Sequence, residues 1–592
     1  MRILRALPVL LFVAATMHAP TAAASGWSAG GMPISPSDSA ADTPVVAPDG
    51  AGGVIVAWID HRDTDWHFYV TRRTASGDVP TGWVGVGSAL AGDTGLDPDI
   101  VSDGEGGAYV GWKYFGDVAI QHVTASGDIG GDWYRPNGAN LPGRNALTAS
   151  IGEASPAQIE HEMALHPQLV ADPGVGVVGV YPNNGRFFNS AWVWKAYRPG
   201  AIVPPSNDAY GLVDPGSYDQ QHPVACGDGS NGVLVAYVGN PGLQIRRYAE
   251  DGSAPANWPA GRGVTIHTGG EPAVLGICPD GDGGAFVVGA DSDSGRFDRF
   301  SDLRLQHVRG DTTRAPGWPP DGILLTATRN EAGLVRGDDP WGGYQHEIVA
   351  DGAGGAIVVW TDLRTDAGDV YALRVRGDGS LVPGWSTGGR AVAALHGVQH
   401  FGQVAADGAG GAYVAWVDTR DDPDGDLYAI HLASIGSPAP GWPAGGRLVA
   451  GGAGGIQNPR ITGDGQGGAY VAWVDTRGPQ PAIRLARLEP GGLTGVGAPI
   501  DPGAIGPSPI AVRPDPWRSD LAVAFTLDRA RPVRIELLDV TGRRCALREL
   551  GTVDGGEHEV RIAPERTLPA GVYLVRVRAG DHAWTTRTVH VR

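Results

Sequence analysis

The sequence predicts an all-β protein built from a repeated unit, on three observations. First, 93 Gly and 46 Pro among 592 residues disfavour helices, because helix interiors tolerate neither residue type well. Second, a hydrophobic content of 42% with 18 Trp supplies a buried core, which argues against a disordered Gly/Pro-rich tract. Third, the phrase Asp-Gly-x-Gly-Gly, followed by an apolar run, returns along most of the chain, as it does in repeat architectures.

The N-terminus is predicted to be a secretory signal peptide over residues 1–24. Arg2 and Arg5 precede an apolar run from Ala6 to Met17, and small residues follow up to Ala24. This order is typical of a signal peptide, and the apolar run is short for a bilayer span. Since no later run of about 20 apolar residues follows, we expect a secreted or outer-surface protein without a transmembrane segment in the mature chain.

Residues 25–490 are predicted to form the repeats. Consecutive copies of the phrase start between 52 and 71 residues apart, and each unit has room for four short strands with turn signals between them. Four-stranded units repeated radially are typical of a β-propeller, for which we predict eight blades and keep seven as the alternative count. The copies begin at Asp49, Asp103, Asp172, Asp228, Asp280, Asp351, Asp407 and Asp464.

The two ends of the repeat region predict closure of the ring. The phrase Trp27-Ser-Ala-Gly-Gly31 resembles Trp442-Pro-Ala-Gly-Gly446, which ends a complete unit, whereas the final unit lacks such a phrase after Leu488. An N-terminal strand can therefore complete the last blade. The alternative is an open β-solenoid, because periodicity alone does not prove a closed ring.

The candidate ligand site lies at the mouth of the predicted central channel. Polar residues near the start of each innermost strand gather there, and concave mouths with convergent polar groups bind small ligands. Two insertions, 137–166 and 326–346, fall on the same face, where long loops on a rigid frame confer specificity. A polar channel lining without a ligand is the alternative. The ligand-binding candidates are Asp97, Glu162, His166, His222, His346, Glu347 and His400.

One acidic loop of the predicted propeller is a candidate calcium site. Calcium takes six to eight oxygen ligands, which closely spaced Asp side chains and carbonyls can supply. Asp and Gly are also the residues of solvent-exposed turns, and the turn is the interpretation we prefer. We expect no cofactor, with calcium at this loop as the alternative. The residues are Asp421, Asp422, Asp424 and Asp426.

The C-terminal region has a different composition. A Gly/Pro-rich linker over residues 491–513 precedes short predicted strands over residues 514–592, which favour an immunoglobulin-like sandwich. In Val533-Arg-Ile-Glu-Leu-Leu-Asp-Val-Thr-Gly-Arg543 and Pro569-Ala-Gly-Val-Tyr573 it resembles the FlgD-type Ig-like domain and the C-terminal sorting domain of type IX secretion. The resemblance implies export by outer-membrane secretion machinery. A plain accessory Ig-like domain is the alternative.

Charge and site composition limit the function. The chain has 45 basic and 64 acidic residues, a net charge of −19, which disfavours nucleic acid as a partner. The primary prediction is a secreted or cell-surface binding protein for glycan, peptide or protein, without catalysis. The alternative is a secreted polysaccharide hydrolase or lyase with its site at the channel mouth. Unrepeated acidic or histidine groups with shifted pKa values would favour the enzyme.

Overall fold

The structure, a computed structural model, describes residues 27–493 and 510–590 with gaps. The longest gaps are 130–146, 150–167, 198–210, 213–220, 293–299, 334–345 and 514–520. The predicted signal peptide and most of the predicted linker therefore lie outside the described residues. The chain divides into two compact units, Met1–Gly497 and Ala498–Arg592. Within the described residues, no helix has the length and apolar composition of a membrane span.

The first unit begins with one two-residue strand that joins a sheet near the end of the unit, and it then forms sheets 1 to 4. Its first strand, β1 (Met32–Pro33), pairs near the end of the unit. Sheet 1 contains β2 (Ala41–Pro48), β3 (Val54–Asp60), β4 (His67–Arg73) and β5 (Ser88–Ala89). Sheet 2 contains β6 (Leu96–Ser102), β7 (Ala108–Tyr114), β8 (Asp117–Val123) and β9 (Leu147–Ala149). Sheet 3 contains β10 (Gln168–Asp172), β11 (Gly176–Asn184), β12 (Asn189–Tyr197) and β13 (Gly211–Leu212). Sheet 4 contains β14 (Gln221–Gly227), β15 (Val233–Gly239), β16 (Gly242–Tyr248) and β17 (Val264–His267).

Sheets 5 to 8 continue the pattern. Sheet 5 contains β18 (Glu271–Pro279), β19 (Ala285–Ser292), β20 (Phe300–Val308) and β21 (Ile323–Leu324), and β22 (Ala332–Gly333) links it to sheet 6. Sheet 6 contains β23 (His346–Ala350), β24 (Ala356–Asp362), β25 (Asp369–Val375) and β26 (Arg390–Ala393). Sheet 7 contains β27 (Gln399–Ala406), β28 (Ala412–Asp418), β29 (Asp426–Leu432) and β30 (Arg447–Ala450). Sheet 8 contains β31 (Ile456–Gly463), β32 (Ala469–Asp475) and β33 (Ala482–Glu489), with β34 (Gly492–Leu493) and β1 added to β33.

The all-β prediction is confirmed over the described residues, and sheets of four antiparallel strands fit the blades of a propeller. The first strands of consecutive sheets are neighbours, from β2 and β6 through to β27 and β31, and β31 in turn neighbours β2. The strand β1 pairs antiparallel with β33, with Met32 opposite Leu485. The N-terminal segment therefore completes sheet 8.

The Asp-Gly-x-Gly-Gly phrase forms the turn between the first and second strands of a sheet. In sheet 7, the Asp407 carboxylate accepts the N–H of Gly411 at 2.8 Å. Gly408 and Gly410 have φ angles of 75° and 85°, a region that glycine enters without a steric penalty. The following strand β28 is buried along its whole length, since neighbouring sheets cover both of its faces.

Tryptophan side chains join neighbouring sheets. The Trp385 indole N–H donates to the Ser434 carbonyl of sheet 7 at 3.0 Å. Arg374 donates to the same carbonyl at 3.0 Å and to the Asp351 carboxylate of its own sheet at 2.8 Å. These tryptophan and arginine side chains thus hold one sheet against the next. Equivalent indole bonds join Trp27 to Ala75, Trp83 to Ala125, Trp258 to Gly310, Trp318 to Gly377 and Trp442 to Pro490.

The second unit consists of two sheets around one core. One sheet has the order β35 (Ile510–Arg513), β36 (Leu521–Leu527) and β39 (Gly556–Ile562). The other has the order β38 (Arg544–Val553), β37 (Arg531–Asp539), β40 (Gly571–Ala579) and β41 (His582–His590). Side chains of both sheets, such as Val523, Ile535 and Val575, are fully buried in the shared core.

Candidate functional site

The first strands of the sheets carry irregular backbone at their starts. Thr43, Asp97, Phe401 and Asn458, each six residues before a turn aspartate, have φ angles of 48° to 54°. The strand register shifts at the same places, for example between His400 and Gln403. A non-glycine residue in this region costs about 1–3 kcal/mol, and such bulges re-aim the side chains that follow.

The positions two residues after these bulges, together with the equivalent positions in the other sheets, form a set that we call the inner ring. Each position is four residues before the turn aspartate, on a first strand. Five members are apolar or uncharged, three are charged, and no charged residue type repeats. The inner ring comprises Val45, Asp99, Gln168, Val224, Gly276, Glu347, Gln403 and Arg460.

Acceptor side chains of the inner ring bond the backbone of the next sheet. The Asp99 carboxylate accepts the N–H of Leu169 at 2.7 Å, and Glu347 accepts the N–H of Val404 at 3.0 Å. The Gln168 carbonyl makes the same bond to the next sheet at 2.8 Å. Because a first strand is an edge strand, its outward N–H groups need such partners. The inner ring therefore lies where neighbouring first strands meet.

The charged members share one electrostatic environment. Burial raises the pKa of Asp99 to about 6, against hydrogen bonds from backbone N–H groups and the charge of Arg460. Burial also raises the pKa of Glu347, from its usual 4.5 to about 7, against the Val404 N–H, the charge of Arg460 and a hydrogen bond from Gln403. Arg460 thus acts on carboxyl groups from two different sheets. Two carboxyl groups with raised pKa values are thus under the influence of the same cation, a pattern that is typical of functional sites.

The structure places the predicted site residues in different positions. Glu347 belongs to the inner ring. Asp97 is a buried bulge residue two positions before Asp99. His346 precedes Glu347 on β23 and is buried, so its side chain points to the opposite face of that strand. The remaining candidates differ in how far the structure describes them.

His400 lies at the start of β27, with its ring centroid 4.4 Å from that of Phe401. Burial lowers the pKa of His400 to about 4, although the charge of Asp418 opposes this shift. The imidazole is therefore neutral at pH 7. His222 lies on β14, but its side chain is outside the description, and Glu162 and His166 lie in the gap 150–167.

Asp99, Gln168 and Arg460 are absent from the sequence-based candidates. Most sequence-based candidates lie five to seven positions before the turn aspartate, near the start of each first strand, where the structure has the bulge. Comparing the repeats two positions later would have found Asp99 and Arg460, since charged residues stand out among Val, Gly and Gln there.

The repeated Asp-x-Arg pairs have structural partners. The Asp60 carboxylate accepts the Trp58 indole N–H at 3.0 Å and pairs with Arg62 at 2.6 Å. The Arg62 head group lies 3.6 Å from the centre of the Tyr69 ring and donates to the Val86 carbonyl. These contacts all lie within one sheet, which gives the cluster a role in stability.

The acidic loop of sheet 7 also has internal partners. Asp421 accepts the Tyr428 hydroxyl at 2.8 Å, Asp422 accepts the N–H of Asp424 at 2.9 Å, and Asp426 accepts the N–H of Gly452 at 3.0 Å. Over the described residues, no three His, Cys, Asp or Glu side chains are grouped to hold a metal ion. The hydrogen bonds are those of an Asp-rich turn.

Comparison with known proteins gives structural matches alone. No protein-family model and no curated protein matches the chain. A Dyadobacter fermentans protein of unknown function is 9% identical, with a TM-score of 0.34 over 77% of this chain and 98% of that one. A glycoside hydrolase family 43 arabinoxylan arabinofuranohydrolase from Bacillus subtilis is 11% identical, with a TM-score of 0.24 over 74% and 97%. An exo-1,5-α-L-arabinanase from a bovine ruminal metagenomic library is 13% identical, with a TM-score of 0.24 over 46% and 94%.

These matches correct the primary functional prediction. A binding protein without catalysis is wrong by this comparison, because glycoside hydrolases are among the matched structures. The alternative, a polysaccharide hydrolase, is the one we retain. At such identities and TM-scores, no catalytic residue or substrate of those enzymes is transferred to this chain. The argument for catalysis rests on the inner ring itself.

Proposed function

We propose that the protein is a secreted polysaccharide hydrolase whose active site is the inner ring, with Glu347 as general acid and Asp99 as general base. One observation carries the proposal: two unrepeated carboxyl groups with pKa values raised to about 7 and about 6 lie within the electrostatic reach of one cation. Glycoside hydrolysis uses such a pair of carboxyl groups in different protonation states.

The proposed reaction breaks the glycosidic C–O bond. Glu347 donates its proton to the leaving glycosidic oxygen, and the oxygen of a water molecule bonds to the anomeric carbon. Asp99 takes a proton from that water. Proton exchange with solvent then restores protonated Glu347 and ionised Asp99. At pH 7 a carboxyl group with a pKa of about 7 is half protonated, whereas one with a pKa of about 6 is mostly ionised, as the two roles require.

The test is a cleavage assay on a panel of polysaccharides, with new reducing ends as the readout. Wild-type protein should cleave at least one polymer, and Glu347→Gln should lose about 100-fold to 10,000-fold in rate, the usual worth of a general acid. Glu489→Gln is the control, since its side chain is exposed on sheet 8. Absence of cleavage by folded wild-type protein, or full activity of Glu347→Gln, would rule out the proposal.

The proposal includes a closed ring of eight blades. Two contacts between sheets 8 and 1 support closure: the Tyr470 hydroxyl donates to the Gly52 carbonyl at 2.7 Å, and Asn458 donates to Asp42 at 3.4 Å. The pairing of the N-terminal strand β1 with β33 within sheet 8 also supports it. Electron microscopy of particles viewed along the ring axis should count eight blades. A count of seven, or an open arc, would contradict it.

We further propose an Ig-like sorting module at the C-terminus. Two sheets around one core support the Ig-like part, as does the Tyr573 hydroxyl bonded to the Pro569 carbonyl at 2.9 Å, the geometry of a tyrosine corner. The full chain and a version lacking residues 514–592 are expressed in a bacterium with type IX secretion. The full chain should reach the cell surface and the shortened chain should stay inside. Equal export of both would reduce the module to an accessory domain.

A further inference from the structure

Arg460 is the cation of the inner ring, and its head group is little used. Its one hydrogen bond within the described residues runs from the guanidinium to the carbonyl of the adjacent Pro459, at 3.1 Å. The side chain is partly buried. An arginine head group has several N–H donors in a fixed planar fork, and among the described residues one of these donors has a hydrogen-bond partner.

Other buried or partly buried arginines of the repeats form ion pairs. Arg374 pairs with Asp351 at 2.8 Å, and Arg247 pairs with Asp228 at 2.8 Å. Arg460 forms no such ion pair among the described residues, although its charge acts on Asp99 and Glu347. A partly buried guanidinium without a carboxylate partner is unusual, because burial of a charge is unfavourable unless it is paired.

The carboxyl groups of the inner ring are bonded to backbone N–H groups. Asp99 accepts the N–H groups of Ile100 and Leu169, and Glu347 accepts the N–H of Val404. Among the described residues, neither carboxyl group forms an ion pair with Arg460. A carboxylate supplied by a ligand is the anion that matches the arginine fork in shape.

We propose that Arg460 is a substrate-binding residue that pairs with the carboxylate of a uronic acid unit, so that the protein acts on an acidic polysaccharide. This inference rests on the proposed function and names its substrate class. A uronate has one charge per unit, which one guanidinium neutralises. A dianionic phosphate group would add repulsion from the two carboxyl groups of the inner ring.

The test compares acidic polymers with their own neutral forms. The full chain is titrated calorimetrically with polygalacturonate, alginate and glucuronoxylan, and with the carboxyl-reduced form of each, and cleavage is followed in parallel. At least one acidic polymer should bind roughly tenfold to a hundredfold more tightly than its reduced form, the value of a charge-assisted hydrogen bond. Because the chain has a net charge of −19, general attraction of polyanions does not produce this preference.

Variants test whether the preference for acidic over carboxyl-reduced polymers depends on Arg460. Arg460→Gln should abolish it, Arg460→Lys should keep part of it, and Arg309→Gln, on an exposed turn, should leave it unchanged. The comparison of acidic and reduced polymers on wild-type protein needs no variant, so the inference remains testable where Arg460→Gln does not fold.

The outcomes separate this inference from the proposed function. Equal binding and cleavage of acidic and reduced polymers overturns the role of Arg460 and leaves the hydrolase. Binding through Arg460 without cleavage supports the role and overturns the hydrolase. Cleavage that leaves an unsaturated uronate supports Arg460 but replaces hydrolysis with elimination. Binding of dextran sulfate as tight as that of the uronate polymers, or no binding of any uronate polymer, overturns the inference.

Discussion

The turn aspartates and the inner-ring residues Asp99 and Glu347 all have carboxyl groups, but their surroundings shift the pKa in opposite directions. Burial alone would raise the pKa of Asp228, but hydrogen bonds from Ser230, Arg247 and Gly232 outweigh it and lower the pKa. At Glu347 burial prevails, and the pKa rises to about 7. The turn stabilises a negative charge, whereas the inner ring disfavours one.

The difference teaches which residues serve the fold. A group whose charged form is stabilised by folding adds to stability, and a group whose charged form is disfavoured reduces it. The turn aspartate recurs along the repeats, and four members of the set have lowered pKa values and so add to stability: Asp103, Asp228, Asp280 and Asp407. Glu347 and Asp99 occur once each and reduce it at neutral pH, as expected for groups retained for chemistry.

The largest effect is expected at the turn. Asp228→Asn keeps an acceptor for the backbone N–H groups but removes the ion pair with Arg247, whose side chain is 16% exposed. The free energy of unfolding should fall by roughly 3 kcal/mol, since a hydrogen bond between two charged groups is lost and the partly buried cation is left without its carboxylate. Urea denaturation at pH 7 measures it. Because the pKa of Asp228 is lowered by folding, wild-type protein should lose this contribution as pH falls below about 4.

The matched control is another acid-to-amide change on a turn. Asp378 accepts the N–H and hydroxyl of Ser380 on an exposed turn, and Asp378→Asn should barely change stability. Equal losses for the two variants would mean that exposure does not distinguish these aspartates, and the contrast with the inner ring would fail.

The second effect has the opposite sign. Glu347→Gln should raise the free energy of unfolding at pH 8 by up to about 3 kcal/mol, because it removes a carboxylate whose pKa rises from 4.5 to about 7 on folding. The folded protein binds this proton more tightly, so wild-type stability should fall as pH rises from about 4.5 to about 7. Denaturation of both proteins at pH 5 and pH 8 tests this. A gain that is the same at both pH values would assign it to packing and not to charge.

The smallest effect concerns the bonds between sheets. Trp385→Phe removes the indole N–H that donates to Ser434 and leaves a smaller ring in a site that is 6% exposed. A loss of about 1–2 kcal/mol is expected from the hydrogen bond and the reduced packing. Trp66→Phe, at a residue that is 42% exposed, should show almost none. Similar urea midpoints for these two variants would deny the indole bond a role in joining sheets.

The features of the fold that recur in every repeat could be predicted from the sequence. The turn at Asp407 and the buried strand ending near Trp416 were predictable, because glycine spacing and apolar runs report local backbone geometry. The pairing of an N-terminal strand with sheet 8 was predictable too, from the likeness of the Trp27 and Trp442 phrases.

The inner ring was harder to predict because bulges interrupt strand alternation. Two-residue periodicity tells which side chains share a face, but a left-handed residue such as Asn458 resets that count. Arg460 therefore falls on a face that counting does not identify. Glu347 was a candidate for its position beside His346, whereas its burial and raised pKa come from neighbouring sheets.

The pH dependence of kcat/KM for polysaccharide cleavage is the decisive test of Glu347 as general acid and Asp99 as general base. We expect a bell-shaped profile with limbs near the pKa values of Asp99, about 6, and Glu347, about 7, which report the base and the acid of the free enzyme. Residual activity of Glu347→Gln should lack the alkaline limb. A profile whose alkaline limb persists unchanged in Glu347→Gln would contradict the assignment of Glu347 as the acid.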